Sequence, residues 1–150
     1  MAAEEVLQIY MKSVLILCTG NSARSQMAEG LLRHLAGGLI EVASAGTIPS
    51  TVRREAIEAL QEIGIDISHH RSKGIHEFQD SSFDVVLTVC DNAKETCPFF
   101  PASVKVVHRS FEDPPHEGDV PYEESLAVFR RVRDEIAGYL QAEFLPSLQK

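Results

Sequence analysis

Short continuous runs of apolar residues alternate along the chain with longer segments in which apolar residues recur every three or four positions. The first continuous run, residues 13–17, is rich in β-branched and aliphatic side chains. This predicts a strand that is buried on both faces and ends at Cys18. Three further runs predict strands over 39–44, 83–89 and 104–107.

The segments with helical spacing follow the first two runs and the last one. They predict helices over 27–35, closed by Gly37 and its neighbour, over 56–63, closed by Gly64, and over 122–144. Glycine is the residue that most easily adopts the left-handed conformation at a helix end, so these two stops are the clearest boundary signals.

Strands that alternate with helices predict an α/β domain with a four-stranded, open parallel sheet and helices on both faces. We assign this domain to residues 12–150 and treat residues 1–11 as an N-terminal extension. Ligands of such sheets bind where loops converge beyond the carboxyl ends of the strands. At that edge we expect the loops that follow Cys18 and Cys90, together with residues 108–115.

The composition narrows the classes of partner. The 150 residues include 22 acidic and 14 basic side chains, a net charge of −8 that repels nucleic acid and anionic membrane surfaces. No apolar stretch approaches the roughly 18 residues of a membrane helix, and Glu4 and Glu5 stand where a signal peptide carries positive charge. Three cysteines are too few for a disulfide framework, so we expect reduced thiols and a cytoplasmic location.

The segment that starts at Cys18 has the pattern C-x5-R-S and lies between a predicted strand and a predicted helix. A loop that leads into a helix directs free backbone N–H groups inward, where they bind a tetrahedral oxyanion. Arg24 adds a two-pronged grip, and the helix end lowers the pKa of the Cys18 thiol, to which Ser25 donates a hydrogen bond. The loop residues, of which Gly20 and Asn21 best tolerate a positive φ, are Thr19, Gly20, Asn21, Ser22 and Ala23.

No nucleotide or metal motif accompanies this loop. Neither G-x-G-x-x-G nor G-x4-G-K-[ST] occurs in the sequence. The three dispersed cysteines and His69, His70 and His76 match no zinc-binding spacing. We therefore expect neither a metal nor an organic cofactor.

Five motifs occur in a characteristic order: LCTGNSARSQMAEG at 17–30, SAG at 44–46, GIDIS at 64–68, VC-x6-CP at 89–98 and FEDP at 111–114. Together they resemble the thioredoxin-coupled, cysteine-relay arsenate reductases built on the low-molecular-weight phosphotyrosine phosphatase fold, over about residues 12–145. The resemblance implies reduction of arsenate to arsenite in arsenic detoxification. It implies these roles: nucleophile Cys18, oxyanion clamp Arg24, general acid Asp113, and resolving pair Cys90 and Cys97.

The spacing of the resolving pair adds a geometric condition. The segment between Cys90 and Cys97 favours a helix, in which the seven-residue step rises about 10.5 Å. A disulfide requires Cα atoms within about 7 Å, so the segment has to unwind when the bond forms. We expect a helical reduced state and an unwound oxidised state.

The resemblance also concerns a monovalent cation. Some relatives hold one near the positions of Asn21, Glu29 and Ser44, and carry an acidic residue where this chain has Lys73. The Lys73 ammonium either replaces that cation or is simply solvated, and the sequence leaves both open.

Two other functions remain as alternatives. A low-molecular-weight protein tyrosine phosphatase shares Asp113 and the segment from Cys18 to Ser25, which we call the nucleophile loop. The pair Cys90 and Cys97 argues against this alternative, as do the two prolines that follow the acid instead of an aromatic ring. A catalytically silent module that binds oxyanions or senses redox changes is the other.

Many relatives carry a cysteine where this chain has Ala23. This difference leaves open which thiol donor reduces the disulfide. We expect a monomer that takes arsenate, with phosphate or sulfate as analogues, and thioredoxin or a glutaredoxin/glutathione system as partner.

Overall fold

The computed structural model of the chain describes residues 12–91 and 104–148. The strands are β1 (Ser13–Cys18), β2 (Glu41–Gly46), β3 (Val85–Thr88) and β4 (Lys105–His108). The helices are α1 (Arg24–Ala36), α2 (Arg54–Gln61), a 3-10 turn (Ile75–Phe78), α3 (Tyr122–Tyr139), a π-helical turn (Leu140–Phe144) and α4 (Leu145–Ser147). Within these ranges no helix is both long and apolar enough to cross a membrane.

The four strands form one parallel sheet in the order β2-β1-β3-β4. Four consecutive residues of β1, from Val14 to Leu17, are buried, so both faces of the sheet centre are covered. The predicted fold class is confirmed. The chain leaves β1 towards one edge of the sheet and leaves β3 towards the other, and ligands bind at such a switch point. The loops after Cys18 and Cys90 both start there.

Three strands differ from the prediction in where they begin and end. β2 spans Glu41–Gly46 instead of 39–44, because its register pairs Ser13 with Glu41 and Cys18 with Gly46. β3 is shorter than 83–89, and β4 lies one residue later than 104–107. Pairing between strands sets these ends, whereas the apolar pattern reports only which residues are buried.

The helices pack through most of the predicted apolar positions, but Ile63 lies beyond the end of α2 and is exposed. Gly37 closes α1 with a φ of +60°, and Gly64, with a φ of +85°, follows the end of α2. The face of α3 that carries Leu126, Phe129 and Ile136 is buried against the rest of the core. The long closing helix is interrupted by the π-helical turn, which the sequence pattern did not predict.

Candidate active site

The carbonyl groups of the loop between β1 and α1 are hydrogen-bonded to the segment that follows β2. The carbonyl oxygens of Cys18, Thr19, Gly20 and Ser22 accept hydrogen bonds from the backbone N–H groups of residues 47, 48, 50 and 53, at 2.9–3.3 Å. Within the described residues no side chain caps the start of α1. The N–H groups of its first turn therefore remain available to an anion, as the predicted oxyanion binding requires. We call this loop and these N–H groups the oxyanion cradle.

Two residues determine the shape of this loop. Asn21 has a φ of +48°, so the positive φ falls on Asn21 and not on Gly20. A Cβ atom at Gly46 would lie 2.5 Å from the carbonyl oxygen of Thr19 and 2.8 Å from the Asn21 nitrogen. Any side chain at position 46 would therefore displace the loop.

Most of the residues predicted to take part in the reaction line one cleft of about 910 Å³. The cleft is bordered by Cys18, Arg24, Cys90 and Asp113. Arg24 donates from Nη1 to the carbonyl oxygen of Phe111 at 3.0 Å, and its Nη2 lies 3.2 Å from Asp113 Oδ1. Its Nε is buried without a hydrogen-bond partner among the described residues, so this N–H is available to an oxyanion.

Cys18 and Cys90 lie together at the base of the cleft. Both cysteines are buried. Contact with Cys90 and burial raise the pKa of the Cys18 thiol well above its ordinary value, although Arg24 and the Ser25 backbone N–H act to lower it. This is the opposite of the lowered pKa expected from the helix position. A second thiolate beside the first is repelled, so the pair releases its two protons in separate steps.

The Ser25 hydroxyl is occupied differently from the prediction. It accepts a hydrogen bond from Asn21 Nδ2 at 2.9 Å, whereas the backbone N–H of Ser25 is the group that reaches Cys18. Ser25 therefore contributes to the loop through its side chain and to the sulfur through its backbone.

The candidate cation residues form a connected network beneath the loop. Asn21 Nδ2 donates to Ser44 Oγ at 2.9 Å, and the Ser44 hydroxyl donates to Glu29. The Lys73 backbone N–H donates to Asn21 Oδ1 at 2.8 Å, and its ammonium lies 3.8 Å from Glu29 Oε1. Burial lowers the pKa of Lys73, against the attraction of Glu29. Lys73 thus brings its own positive charge to this carboxylate.

Residues 13–150 match the family described as low molecular weight phosphotyrosine protein phosphatase. The chain belongs to this family. An arsenate reductase of Shouchella clausii is 43% identical over 130 residues, which is 87% of this chain and 93% of the relative. The resemblance drawn from the five motifs is confirmed.

Solved structures of the low-molecular-weight phosphatase fold include reductases similar to this chain. One described as an arsenate reductase in the oxidized state has a TM-score of 0.77 at 33% identity, covering 92% of this chain and 99% of the other. A thioredoxin-dependent arsenate reductase of Corynebacterium glutamicum has a TM-score of 0.73 at 28% identity, covering 93% of this chain and 63% of the other.

The sequence did not predict two residues that line the cleft of this phosphatase-family chain. Arg53 lines the cleft with a guanidinium that donates to the carbonyl oxygen of Pro115 at 2.9 Å. His116 lies 3.4 Å from Asp113, between Nε2 and Oδ2. An arginine at a helix start and a histidine in a polar loop resemble ordinary solvated residues, so neither position carried a signal.

The third cysteine of the relay, Cys97, lies outside the described residues, as does the segment 92–103 that contains it. The N-terminal extension 1–11 lies outside them too. The expected unwinding between Cys90 and Cys97 stays a prediction.

The Lys73 network predicts that the protein needs no added cation. We expect similar thermal midpoints for the wild type in potassium and in choline chloride, because the Lys73 ammonium and the Arg33 guanidinium already accompany Glu29. Lys73→Met should become stabilised by about 1 kcal/mol at a potassium concentration about five times its dissociation constant, or about 2–4 °C in Tm. Thermal unfolding of the variant in the two salts measures this, with the exposed Lys105→Met as the control. If potassium stabilised the wild type as strongly as the variant, the Lys73 ammonium would not be taking the place of the cation.

Proposed function

We propose that this protein reduces arsenate to arsenite through a thiol relay in arsenic detoxification. The observation that carries the proposal is the contact between two buried thiols, Cys18 and Cys90, at the base of an oxyanion cradle. A phosphatase needs only the first of these thiols. A reductase needs the second to accept a bond from the first, since two electrons have to leave the protein.

The reaction starts when the Cys18 thiolate attacks arsenic while Cys90 keeps its proton. Asp113 donates a proton to the departing oxygen, and a Cys18–S–As(V) bond forms. Arg24, which contacts Asp113 and the Phe111 carbonyl in the free site, transfers its N–H groups to the arsenate oxygens. The backbone N–H groups of the loop bind the remaining oxygen atoms.

Reduction takes place in the second step. The Cys90 thiol gives its proton to solvent, its sulfur attacks the Cys18 sulfur as a thiolate, and an S–S bond forms. The S–As bond breaks and its electron pair stays on arsenic, which leaves as arsenite. Cys97 then attacks Cys90, so Cys18 is released as a thiolate and the Cys90–Cys97 disulfide remains for an external dithiol.

The external thiol donor has to reduce the Cys90–Cys97 disulfide, and this requirement defines its chemical class. A dithiol of the thioredoxin or glutaredoxin class, or glutathione, can reduce a disulfide by exchange. The similar Corynebacterium glutamicum enzyme is named as thioredoxin-dependent, which favours thioredoxin here. We propose that a monomer suffices, because the cysteines, Arg24 and Asp113 are all supplied by one chain.

Arsenate-dependent thiol loss tests the proposal. Reduced protein is mixed with arsenate, and free thiols and arsenite are counted with and without thioredoxin, thioredoxin reductase and NADPH. We expect two thiols lost per arsenite in the absence of the reducing system, and continuous NADPH oxidation in its presence. Phosphate in place of arsenate is the control, and thiol loss that is independent of arsenate would refute the proposal.

A second candidate function is hydrolysis of phosphate monoesters. The family match and the cradle with Cys18, Arg24 and Asp113 favour it. Pro114 and Pro115, which follow the acid, supply no ring for a phosphotyrosine to stack on. We therefore propose phosphatase activity only as a weak side reaction, measurable with p-nitrophenyl phosphate.

Replacing Asp113 with asparagine should slow formation of the thioarsenate bond by about 100-fold to 10,000-fold, the usual contribution of a general acid. Asparagine keeps the size of the side chain and its contact with Arg24 but has no acidic proton. Rapid-quench measurement of the first turnover at several arsenate concentrations separates this loss from weaker binding. His116→Gln, which removes the neighbouring ring, is the matched control. An unchanged first-turnover rate would mean that another group supplies the proton.

A further inference from the structure

Side chains hold the loop that carries the proposed general acid. We call residues 109–118 the acid loop; it contains no helix or strand. Its backbone is anchored at Phe111, whose N–H donates to the Val89 carbonyl oxygen at 3.1 Å. Within the part of the chain that the structure describes, residues 112–115 make no backbone-to-backbone hydrogen bond. The position of Asp113 therefore depends on contacts made by other side chains.

Two guanidinium groups bracket Asp113. Arg24 donates to the carbonyl oxygen of Phe111, two residues before it, and Arg53 donates to that of Pro115, two residues after it, at 3.0 and 2.9 Å. Arg24 has to turn to the arsenate when substrate binds. The Arg53 contact makes no such demand and can persist through the reaction.

Arg53 is itself held firmly. Its Nη2 lies 2.6 Å from Glu55 Oε2, and the Ser125 hydroxyl of α3 donates to the same oxygen at 2.7 Å. Burial acts to raise the pKa of Glu55, but the hydrogen bonds from Ser125 and Arg53 lower it overall. The guanidinium also lies 5.1 Å from the centre of the buried Phe129 ring.

The backbone of the same residue reaches the cradle. The Arg53 N–H donates to the carbonyl oxygen of Ser22 at 2.9 Å. One residue thus joins the nucleophile loop, through its backbone, to the acid loop, through its side chain. The side chain is 12% exposed, so water competes little for these contacts.

We propose that Arg53 is a positioning residue for arsenate reduction, which fixes the acid loop against the nucleophile loop so that Asp113 reaches the departing oxygen. This inference rests on the proposed function, because it assigns Arg53 a role that acts through the general acid. Arg53 donates no proton to the substrate. Its effect is to limit the distance over which Asp113 can move, and a misplacement of about 1 Å can reduce a rate by about 100-fold.

The first test needs no catalytic activity. Arg53→Met removes the donors while keeping an unbranched side chain over Phe129. Arg54→Met removes the same charge from the adjacent, exposed position, where the guanidinium contacts Tyr122. We expect amide hydrogen exchange at Phe111 and Asp119, the hydrogen-bonded N–H groups that flank Asp113, to accelerate about tenfold in Arg53→Met. It should change less than about twofold in Arg54→Met.

The second test is a double-mutant cycle on arsenate reduction. Arg53→Met should lower kcat by about 10-fold to 100-fold in the wild type, with little change in KM, but by less than about threefold in the Asp113→Asn background. A residue that merely stabilises the fold would cost the same factor in both backgrounds. Because Arg53→Met leaves Glu55 buried without its cation, the cycle is repeated with Arg53→Met and Glu55→Gln combined, which removes that charge.

The outcomes separate this inference from the proposed function. Equal exchange in the two methionine variants, or an equal loss of kcat in both Asp113 backgrounds, overturns the positioning role. A folded wild type that reduces no arsenate refutes the proposed function instead. In that case the exchange comparison alone decides whether Arg53 holds the acid loop.

Discussion

Cys18→Ser is expected to abolish arsenate reduction and phosphate-ester hydrolysis together, each by more than about 10,000-fold. A serine hydroxyl keeps its proton at neutral pH, so it does not attack arsenic or phosphorus as a thiolate does. Serine also forms no bond to the Cys90 sulfur, so even a rare ester would not release arsenite. Thioredoxin-coupled NADPH oxidation and p-nitrophenyl phosphate hydrolysis measure the two activities.

Cys90→Ser is the matched comparison for the loss of both activities in Cys18→Ser. Cys90→Ser keeps the nucleophile, Arg24 and Asp113, so it should lose arsenate reduction but retain any phosphatase side activity. It also removes the neighbouring thiol that raises the pKa of Cys18. We therefore expect alkylation of Cys18 by iodoacetamide to accelerate in Cys90→Ser at neutral pH. Substantial reduction of arsenate by Cys18→Ser would show that Cys18 is not the nucleophile.

Cys97→Ser is expected to complete one turnover and then stop. Cys90 can still attack the Cys18 sulfur and release arsenite, but no thiol within the chain remains to free Cys18. The protein should accumulate as a Cys18–Cys90 disulfide, with one arsenite per chain. Peptide mass mapping under non-reducing conditions, combined with arsenite quantification, measures both quantities.

The relay makes distinct predictions for the other two forms. Cys90→Ser should stop one step earlier, with a thioarsenate bond on Cys18 and no arsenite. The wild type without a reductant should accumulate a Cys90–Cys97 disulfide and lose helical signal, because the bond does not fit two helical turns. Full multiple turnover of Cys97→Ser with a thioredoxin system would contradict the three-cysteine relay and favour resolution by an external thiol such as glutathione.

Some features of the fold and of the site could be predicted because they depend only on residues that are close together in the sequence. The strand that ends at Cys18 and the helix that follows from Arg24 were predictable, because burial pattern and helix starts involve residues a few positions apart. The family motifs added the chemical roles of Cys18, Arg24 and Asp113. The cleft contains these three residues because the carboxyl ends of parallel strands meet at one edge.

The sequence by itself therefore determined the α/β class, the nucleophile loop and the expectation of a second thiol at the same edge. Only the tertiary structure decided the register of β2, the raised pKa of Cys18 and the contact of Arg53 with Pro115. Each of these arises between residues far apart in the chain: Arg53 and Pro115 are separated by 62 positions. Local pattern reports burial and backbone preference, but the sign of a pKa shift and the partner of a guanidinium depend on which distant groups the fold brings together.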